Sequence, residues 1–380
     1  MTERNNYYII IKYTVKKSAV VLARADTAYS RRGGKSRRIM VKIAVDCFGG
    51  DHSPNANVVG AVEALKMHDD LYVVLTGDEQ ILNNELAALS YDKSRLEIVH
   101  APKVISHDER PTVAIRDPET SMAKAMELVR KNEDVAGLVS LGSTGALLSG
   151  AFLKVGRLKN VIRPAFCPIM PTMDGTGVGI CDSGANAECT PEQLKQFAIM
   201  GSIYLETAYG FESPKVALLN IGTEEDKGDR LRLETFELLK NTECINFVGN
   251  MESRNLLTGE FDLIVCDGFS GNVLLKSTEG ACLEMLKLFK KVFTSSLKNK
   301  IGALFLKKSV METKEFMDYR NYGGAVMLGT KKIVVKCHGN GVAKTVRNCI
   351  DQAYKMSNGG LNERIEAALA EYAPRRAQEE

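Results

Sequence analysis

Short apolar runs of strand length alternate along the chain with longer amphipathic segments of helix length. This alternation is typical of βαβ units and predicts a mostly parallel sheet. The predicted strands lie at residues 41–46, 71–76, 96–99, 136–140, 165–170, 177–181, 215–219, 245–248, 262–266 and 332–336. The predicted helices lie at 55–68, 78–89, 119–132, 145–155, 191–209, 230–240, 272–294, 340–356 and 361–372. Because no Pro/Ser-rich linker divides this pattern, we expect residues 40–374 to form a single three-layer α/β/α domain.

The basic residues of the chain are concentrated near its start. Residues 1–39 contain ten Lys or Arg but only two acids, Glu3 and Asp26, whereas the whole chain of 380 residues carries a formal net charge of +3. We expect this stretch to be a basic extension, disordered or translated from a misassigned start, with a nucleic-acid arm or a targeting segment as the alternative. Residues 375–380 are expected to form a loose tail. Since the basic charge belongs to the extension, we expect no nucleic-acid partner for the folded part.

The nine cysteines predict neither a disulfide framework nor a metal site. Their number is odd, they include no CxxC pair, and most lie inside apolar runs, as free buried thiols do. The five histidines lie far from any paired cysteines, which argues against zinc. Free thiols in a chain of this size indicate a reducing cytoplasm. No apolar run approaches the roughly 20 residues of a membrane span.

Five polar blocks that contain glycine stand at or just after the ends of predicted strands. They read VKIAVDCFGGDHSP at 41–54, LGSTGA at 141–146, CDSGANAE at 181–188, LNIGTEEDKG at 219–228 and CDGFSGN at 266–272. In open α/β sheets, ligands bind outside the carboxyl ends of the strands. We therefore expect these blocks to line a single cleft.

The five blocks, in this order, resemble the phosphate acyltransferase family of bacterial phospholipid synthesis. The resemblance extends from about residue 40 to about residue 355. The chain departs from the family pattern at Cys47 and Phe48, where small residues or Met are usual, and at Ser143, where Asn is usual. The resemblance implies a Rossmann-like α/β/α fold like that of phosphotransacetylases and of isocitrate or isopropylmalate dehydrogenases.

The reaction that the resemblance implies is transfer of a fatty acyl group from acyl-acyl carrier protein to inorganic phosphate. The product, an acyl phosphate, would then be used by an acyl-phosphate:glycerol-3-phosphate acyltransferase. The reaction needs an anion site, donors for the developing oxyanion and a proton for the departing thiolate. No cofactor and no metal is expected, because the thioester is already activated.

Backbone amides at the start of a helix provide an anion site, and two blocks fit this description. One is the Gly-Ser-Thr-Gly turn at 142–145, and the other is the Gly-Asn pair at 271–272. A simple turn followed by an N-cap is the alternative for both. Paired glycines at 49–50 also let the backbone approach a ligand closely. We assign phosphate or substrate binding to Gly49, Gly50, Gly142, Thr144, Gly145, Asn186, Asp267 and Gly271.

The catalytic candidates come partly from the resemblance and partly from chemistry. The resemblance implies catalytic roles for Lys227 and Asn272, a cation and an amide donor suited to an oxyanion. Without it, Lys227 would be a solvated charge in an acidic loop. Asp46 and Asp267 end strands and are expected to orient neighbouring groups, with Lys227 as a candidate partner. His52 is a candidate general acid, because its unperturbed pKa is near neutrality.

Three other interpretations stay open. A covalent acyl-enzyme could form on Cys47, Cys181 or Cys266, although none is paired with a nearby His in the sequence. A phosphotransacetylase-like enzyme could act on acyl-CoA, and a membrane-associated scaffold could lack activity altogether. A dinucleotide enzyme is disfavoured, because the first strand is not followed by GxGxxG.

Two kinds of surface are predicted. In residues 295–308, four apolar residues share one helical face flanked by lysines: Leu297, Ile301, Leu304 and Phe305. Such a face can contact an anionic membrane, or it can pack on the core or on a second subunit. The resemblance implies a homodimer in peripheral contact with the inner face of the membrane. An acidic carrier protein could bind one of two basic patches, Lys154, Arg157, Lys159 and Arg163 or Lys287, Lys290 and Lys291.

Overall fold

The computed structural model describes residues 40–106 and 109–372. The predictions for residues 1–39 and 375–380 lie outside these ranges. The assignment of residues 40–374 to one domain stays a prediction.

The strands in the described residues form two sheets. They are β1 (Val41–Asp46), β2 (Leu71–Gly77), β3 (Leu96–His100), β4 (Val135–Ser140), β5 (Ala165–Cys167), β6 (Ile169–Met170), β7 (Val178–Cys181), β8 (Lys215–Asn220), β9 (Asn246–Glu252), β10 (Leu263–Val265), β11 (Ala325–Leu328) and β12 (Ile333–Lys336). The first sheet has the order β3-β2-β1-β4-β12-β11-β5, and the second has the order β6-β7-β10-β8-β9. Only the pairs formed by β5, β6 and β11 are antiparallel among these strands.

Helices flank both sheets. They are α1 (Asn55–Met67), α2 (Glu79–Ala87), α3 (Val113–Arg116), α4 (Ser121–Lys131), α5 (Thr144–Gly150), α6 (Pro191–Tyr209), α7 (Arg230–Lys240), α8 (Gly268–Thr294), α9 (Leu297–Phe316), α10 (Ala343–Asn358) and α11 (Leu361–Glu371). A π-helical turn, Ala151–Val155, continues α5 directly. Short 3₁₀ turns lie at Lys93–Arg95, Ser253–Asn255 and Tyr319–Tyr322. None of the described helices is long and apolar enough to cross a membrane.

The predicted α/β class with mostly parallel strands is confirmed. Strands β1, β2 and β4 are almost wholly buried, because helices cover both of their faces. Burial on both faces explains why these strands appear in the sequence as continuous apolar runs rather than alternating ones.

Two features differ from the predicted pattern. The run 165–170, predicted as one strand, is divided at Pro168 into β5 and β6, which belong to different sheets. Proline lacks the N–H that a continuous ladder needs at that point. Strand β11 was not predicted, because its four residues offer no clear periodicity between two short glycine-containing segments.

One pair of cysteines also departs from expectation. Cys337, which follows β12, forms a disulfide with Cys349 of α10. The other seven cysteines, all within the described residues, are free thiols. The covalent link therefore ties one strand end to one helix and does not form a framework.

Helices α1 and α10 approach each other closely at Gly60. A Cβ atom at this glycine would lie 2.6 Å from both the Ala343 carbonyl oxygen and the Val346 Cβ. Real Cβ atoms do not tolerate such contacts, so the two helices can pack at this distance only with glycine here.

This packing predicts that Gly60→Ala lowers the free energy of unfolding by about 1–3 kcal/mol through overpacking. Gly280→Ala is the matched control, because Gly280 is also within a helix but has no atom within 4 Å of the added methyl group. The control should gain about 0.5–1 kcal/mol from helix propensity. Denaturant unfolding measures both, and a Gly60→Ala protein as stable as the parent would contradict the close contact.

Candidate active site

Asp46 ends β1 as a fully buried carboxylate. Its Oδ1 accepts a hydrogen bond of 2.6 Å from the Ser121 hydroxyl, and its Oδ2 accepts one of 2.7 Å from the Ser140 hydroxyl. Burial raises the pKa of Asp46, and the two hydroxyls oppose that shift. The Ser140 Oγ also accepts a hydrogen bond of 3.0 Å from the Gly142 amide. Asp46 is thus linked by hydrogen bonds, through the Ser140 hydroxyl, to the Gly142 turn.

Three loops pack together at this end of the first sheet. A Cβ atom at Gly49 would lie only 2.3 Å from the Gly142 nitrogen. The Asp51 amide donates a hydrogen bond of 2.7 Å to the Gly339 carbonyl. The loops after β1, β4 and β12 therefore form one surface.

The Gly142 turn itself has the geometry of a turn followed by an N-cap. Ser143 is the N-cap of α5, and its hydroxyl accepts a hydrogen bond from the Ala146 amide. Thr144 is exposed, and Gly145 lies against Pro111. A cap and an anion site are compatible here, because the cap occupies only one amide of the first turn.

Two titratable residues of the same surface were missed in the sequence. The Lys336 ammonium, at the end of β12, donates hydrogen bonds to the Leu141 and Cys337 carbonyls. Burial lowers the pKa of Lys336 to about 8, with the Asp46 carboxylate opposing the shift. Burial also lowers the pKa of His338 to about 4, against the effect of the Glu279 carboxylate. Lys336 could have been found from its position, because it ends a predicted strand as Asp46 does.

A second buried carboxylate organises the loop after β7. Asp182 accepts hydrogen bonds from the Phe166 amide at 2.9 Å, from the Asn186 amide at 2.7 Å and from the Asn186 side chain at 3.0 Å. The Asn186 carbonyl accepts a hydrogen bond of 2.7 Å from the Gly268 amide. Asn186 therefore connects the loop after β7 to the start of α8.

The start of α8 packs closely against the same loop. A Cβ atom at Gly271 would lie 1.9 Å from the Asp182 carbonyl oxygen, and a Cβ atom at Gly184 would lie 3.7 Å from the Asn272 side chain. Asn272 itself is exposed. These contacts bring Asn272 and the Asn186 loop together, and their assignment to substrate binding and catalysis stays a prediction.

Asp267 is paired with a residue that the sequence did not indicate. Its carboxylate accepts hydrogen bonds from the Arg232 guanidinium and from the amide and hydroxyl of Ser270. Lys227, named as its candidate partner, forms neither a hydrogen bond nor an ion pair with it. The pairing was missed because α7 and the start of α8 meet only in the folded chain.

The Lys227 loop is fixed by its backbone and leaves its side chain exposed. The Asn220 side chain donates a hydrogen bond of 3.0 Å to the Lys227 carbonyl and accepts one of 2.8 Å from the Ile221 amide. The Lys227 ammonium has no hydrogen-bond or ion-pair partner among the residues that the structure describes. The loop thus presents an exposed cation that forms no ion pair with the described residues.

Helix α8 links the two groups of loops. It begins at Gly268, whose amide bonds the loop after β7, and about three turns later Glu279 lies 3.9 Å from the His338 ring. Loops at the strand ends of both sheets therefore contact the same helix, α8.

The remaining candidates are an exposed histidine and three buried thiols. His52 is exposed on the loop before α1, and its ring makes no hydrogen bond with a described residue. Cys47, Cys181 and Cys266 are buried, and burial raises the pKa of each thiol well above its ordinary value. A reactive thiolate needs the opposite shift, so the geometry disfavours an acyl-enzyme on these cysteines. Within residues 40–106 and 109–372, no group of three or more His, Cys, Asp or Glu side chains could hold a metal ion.

Comparison with known proteins identifies relatives over most of the chain. Residues 41–364 match the family described as fatty acid synthesis protein. A phosphate acyltransferase from Clostridioides difficile is 42% identical over 333 residues, covering 87% of this chain and 97% of the relative. One from Clostridium perfringens is 44% identical over 322 residues, covering 84% and 94%. The structure of a phosphotransacetylase from Streptococcus pyogenes superposes with a TM-score of 0.56 at 16% identity, covering 84% of this chain and 95% of that one. That likeness shows the fold alone.

The Arg232–Asp267 pair predicts a large difference between two arginines of the same helix. Arg232→Met should lower the free energy of unfolding by about 3 kcal/mol, because it leaves the buried Asp267 carboxylate without its cation. Arg230→Met is the matched control and should cost less than about 1 kcal/mol, since the Arg230 side chain is 90% exposed and its pair with Glu234 is solvated. Urea unfolding at neutral pH measures both. Equal losses of unfolding free energy in the two variants would show that the Arg232–Asp267 pair does not hold α7 against α8.

Proposed function

The chain belongs to the fatty acid synthesis protein family, whose relatives are phosphate acyltransferases, and from this premise we propose that it transfers a fatty acyl group from acyl-acyl carrier protein to inorganic phosphate. The family resemblance inferred from the five blocks is thereby confirmed. The choice of acyl donor is our proposal. Its main support is that the family resemblance assigns catalysis to Lys227 and Asn272, and both side chains are exposed, one on the loop after β8 and one near the start of α8.

The chemistry assigns each group a task. A phosphate oxygen attacks the thioester carbonyl carbon, the C–O bond forms, and the C–S bond breaks to release the carrier thiolate. The Lys227 ammonium and the Asn272 amide stabilise the oxyanion that develops at the carbonyl oxygen. His52 delivers the proton that the thiolate takes up. Phosphate and donor are held by the glycine turns and their polar neighbours, namely Gly49, Gly50, Gly142, Thr144, Gly145, Asn186 and Gly271.

Asp46 and Asp267 act as orienting residues in this proposal. Both carboxylates are already engaged, Asp46 with two serine hydroxyls and Asp267 with Arg232 and Ser270. An anion that is compensated in this way repels an incoming phosphate less than a free carboxylate would. Lys336, buried beside Asp46, adds positive charge to the same end of the cleft.

The proposal predicts that Lys227→Ala and Asn272→Ala each lower turnover by roughly 100- to 1000-fold, as loss of one oxyanion donor does. The assay follows free thiol after purified protein, phosphate and acyl-acyl carrier protein are mixed. Lys215→Ala is the matched control, because Lys215 is an exposed lysine at the opposite end of β8 and should leave turnover unchanged. Near-parental turnover in a folded Lys227→Ala or Asn272→Ala protein would remove that residue from the mechanism.

The same assay separates the alternatives. Thiol release must depend on phosphate, and a non-catalytic scaffold would release none. Faster turnover with acyl-CoA than with acyl-acyl carrier protein would favour a phosphotransacetylase-like donor.

For His52, the pH–rate profile between 5.5 and 8 should lose its slope in His52→Gln, and an unchanged profile would exclude it as the proton donor.

We also propose that the protein is a cytoplasmic homodimer in peripheral contact with the inner face of the membrane, supplying acyl phosphate to a glycerol-3-phosphate acyltransferase. Helix α9 has no buried residue. Leu297 and Phe305 of its predicted membrane face are 74% and 85% exposed, and Ile301 and Leu304 share that face. Helix α8 adds exposed apolar side chains such as Leu288 and Phe289, which a second subunit could cover.

The membrane proposal predicts that Leu304→Ser/Phe305→Ser weakens binding to anionic vesicles by roughly tenfold or more, since two large apolar side chains no longer leave water. Leu306→Ser/Val310→Ser changes the opposite face of α9 and is the control, with a smaller expected effect. Vesicle co-sedimentation measures both, and phosphate-dependent thiol release shows whether each variant is folded. Equal vesicle binding by the parent and the Leu304/Phe305 variant would contradict the proposed face.

A further inference from the structure

Three polar residues stand side by side at the carboxyl end of the first sheet. Asp46, Ser140 and Lys336 are the last residues of β1, β4 and β12. In the register of the parallel ladders, Asp46 is paired with Ser140 and Ser140 is paired with Lys336. Residues in register on neighbouring strands share one face of a sheet. The row therefore places a carboxylate, a hydroxyl and an ammonium group next to one another.

This row holds the peptide group between Leu141 and Gly142 by both of its polar ends. The Leu141 carbonyl oxygen accepts a hydrogen bond of 3.5 Å from the Lys336 ammonium. The Gly142 amide donates one of 3.0 Å to the Ser140 hydroxyl, which itself donates one of 2.7 Å to Asp46. Since an unpaired buried backbone group costs free energy, both contacts favour the same orientation of this peptide group.

The orientation of this peptide group determines where the next residues lie. Ser143 caps α5, and Thr144 and Gly145 begin that helix. Together with Gly142, Thr144 and Gly145 belong to the residues that the proposed function assigns to phosphate or donor binding. Lys336 also donates a hydrogen bond to the Cys337 carbonyl, so its ammonium joins the loop after β4 to the loop after β12.

The charge of Lys336 adds to these contacts. Burial lowers the pKa of Lys336 to about 8, and the Asp46 carboxylate opposes that shift. The nearby Lys276 ammonium of α8, itself paired with Glu279 at 2.7 Å, lowers the pKa of Lys336 further. His338, whose pKa burial lowers to about 4, is neutral above pH 7. Lys336 therefore loses its charge as the pH rises through about 8, and the Asp46 carboxylate is then left without that cation.

We propose that Lys336 is a positioning residue for the phosphate substrate, because it holds the Leu141–Gly142 peptide group and offsets the charge of Asp46. The proposal rests on the proposed acyl transfer, in which the Gly142 turn binds phosphate. Lys336 acts through the turn and through Asp46 rather than on the reacting atoms. The phosphate affinity of the turn then depends on the charge of the ammonium, since an uncompensated carboxylate repels a second anion.

The parent protein tests this dependence without any substitution. Its KM for phosphate should rise roughly five- to tenfold between pH 7 and pH 9, as expected when a hydrogen bond loses its charge. The effect should appear in KM rather than in kcat. Calorimetric titration with inorganic phosphate should show the same rise in Kd, and it needs no acyl donor.

Two variants of Lys336 separate its charge from a merely structural role. Lys336→Met should raise the Kd for phosphate at pH 7 by roughly tenfold and should remove the pH dependence, because no titrating charge remains. Lys336→Arg stays charged at pH 9 and should give nearly the same Kd at both pH values.

Lys332→Met is the matched control. The Lys332 ammonium also donates to a backbone carbonyl, that of Glu133 at 2.8 Å, but Lys332 precedes β12 and lies at the opposite end of that strand. This variant should keep the phosphate affinity and the pH dependence of the parent. Denaturant unfolding at both pH values shows whether each variant is folded.

A parent protein with the same Kd for phosphate at pH 7 and pH 9 would overturn the proposal, and so would a folded Lys336→Met protein that keeps the parental affinity and pH dependence. If Lys336→Met does not fold, the parent and Lys336→Arg decide. If no thioester releases thiol, acyl transfer itself fails and the phosphate titration decides alone. A pH-dependent Kd that Lys336→Arg makes constant supports the proposal, and absence of phosphate binding overturns it.

Discussion

A carboxylate buried at the end of a strand must have its oxygen atoms hydrogen-bonded, and this requirement organises both halves of the cleft. In the first sheet, Asp46 engages the hydroxyls of Ser121 and Ser140. In the second sheet, Asp182 engages the amides of its own loop and of Phe166. Each carboxylate therefore determines where a loop can lie. The loops in turn place the glycine turns and the start of α8.

The same requirement explains the charges around the cleft. Buried anions beside a phosphate site would be unfavourable unless cations or hydroxyl groups compensated them. Lys336 lies near Asp46, and Arg232 is paired with Asp267. Lys227 remains without such a partner among the described residues, so its charge is available to a substrate. The buried charges thus have partners inside the protein, and the ammonium proposed for catalysis is exposed to solvent.

The sequence predicted the parts of this arrangement that depend on local pattern. Apolar runs located most of the strands, and polar residues after them located Asp46, Asp267 and the glycine turns. The pairing of Arg232 with Asp267 could not be predicted, because it depends on how α7 packs against α8. The division of residues 165–170 between two sheets was missed for a related reason: Pro168 marks a break, but only the topology shows that the chain changes sheets there.

A groove beside the π-helical turn Ala151–Val155 illustrates a further limit of local pattern. Arg163 and Asn186 were assigned to different tasks, a docking patch and a substrate site, because nothing in the chain shows that they line one channel. Folding places both in the lining of that groove, where the Asn186 side chain donates a hydrogen bond of 2.8 Å to the carbonyl of Pro164, the residue after Arg163. Oxyanion donors work best where water is excluded, yet Lys227 and Asn272 are exposed in the free protein. An acyl donor that reaches these two side chains would cover them from solvent, so the substrate itself would supply part of the dry environment that its reaction requires.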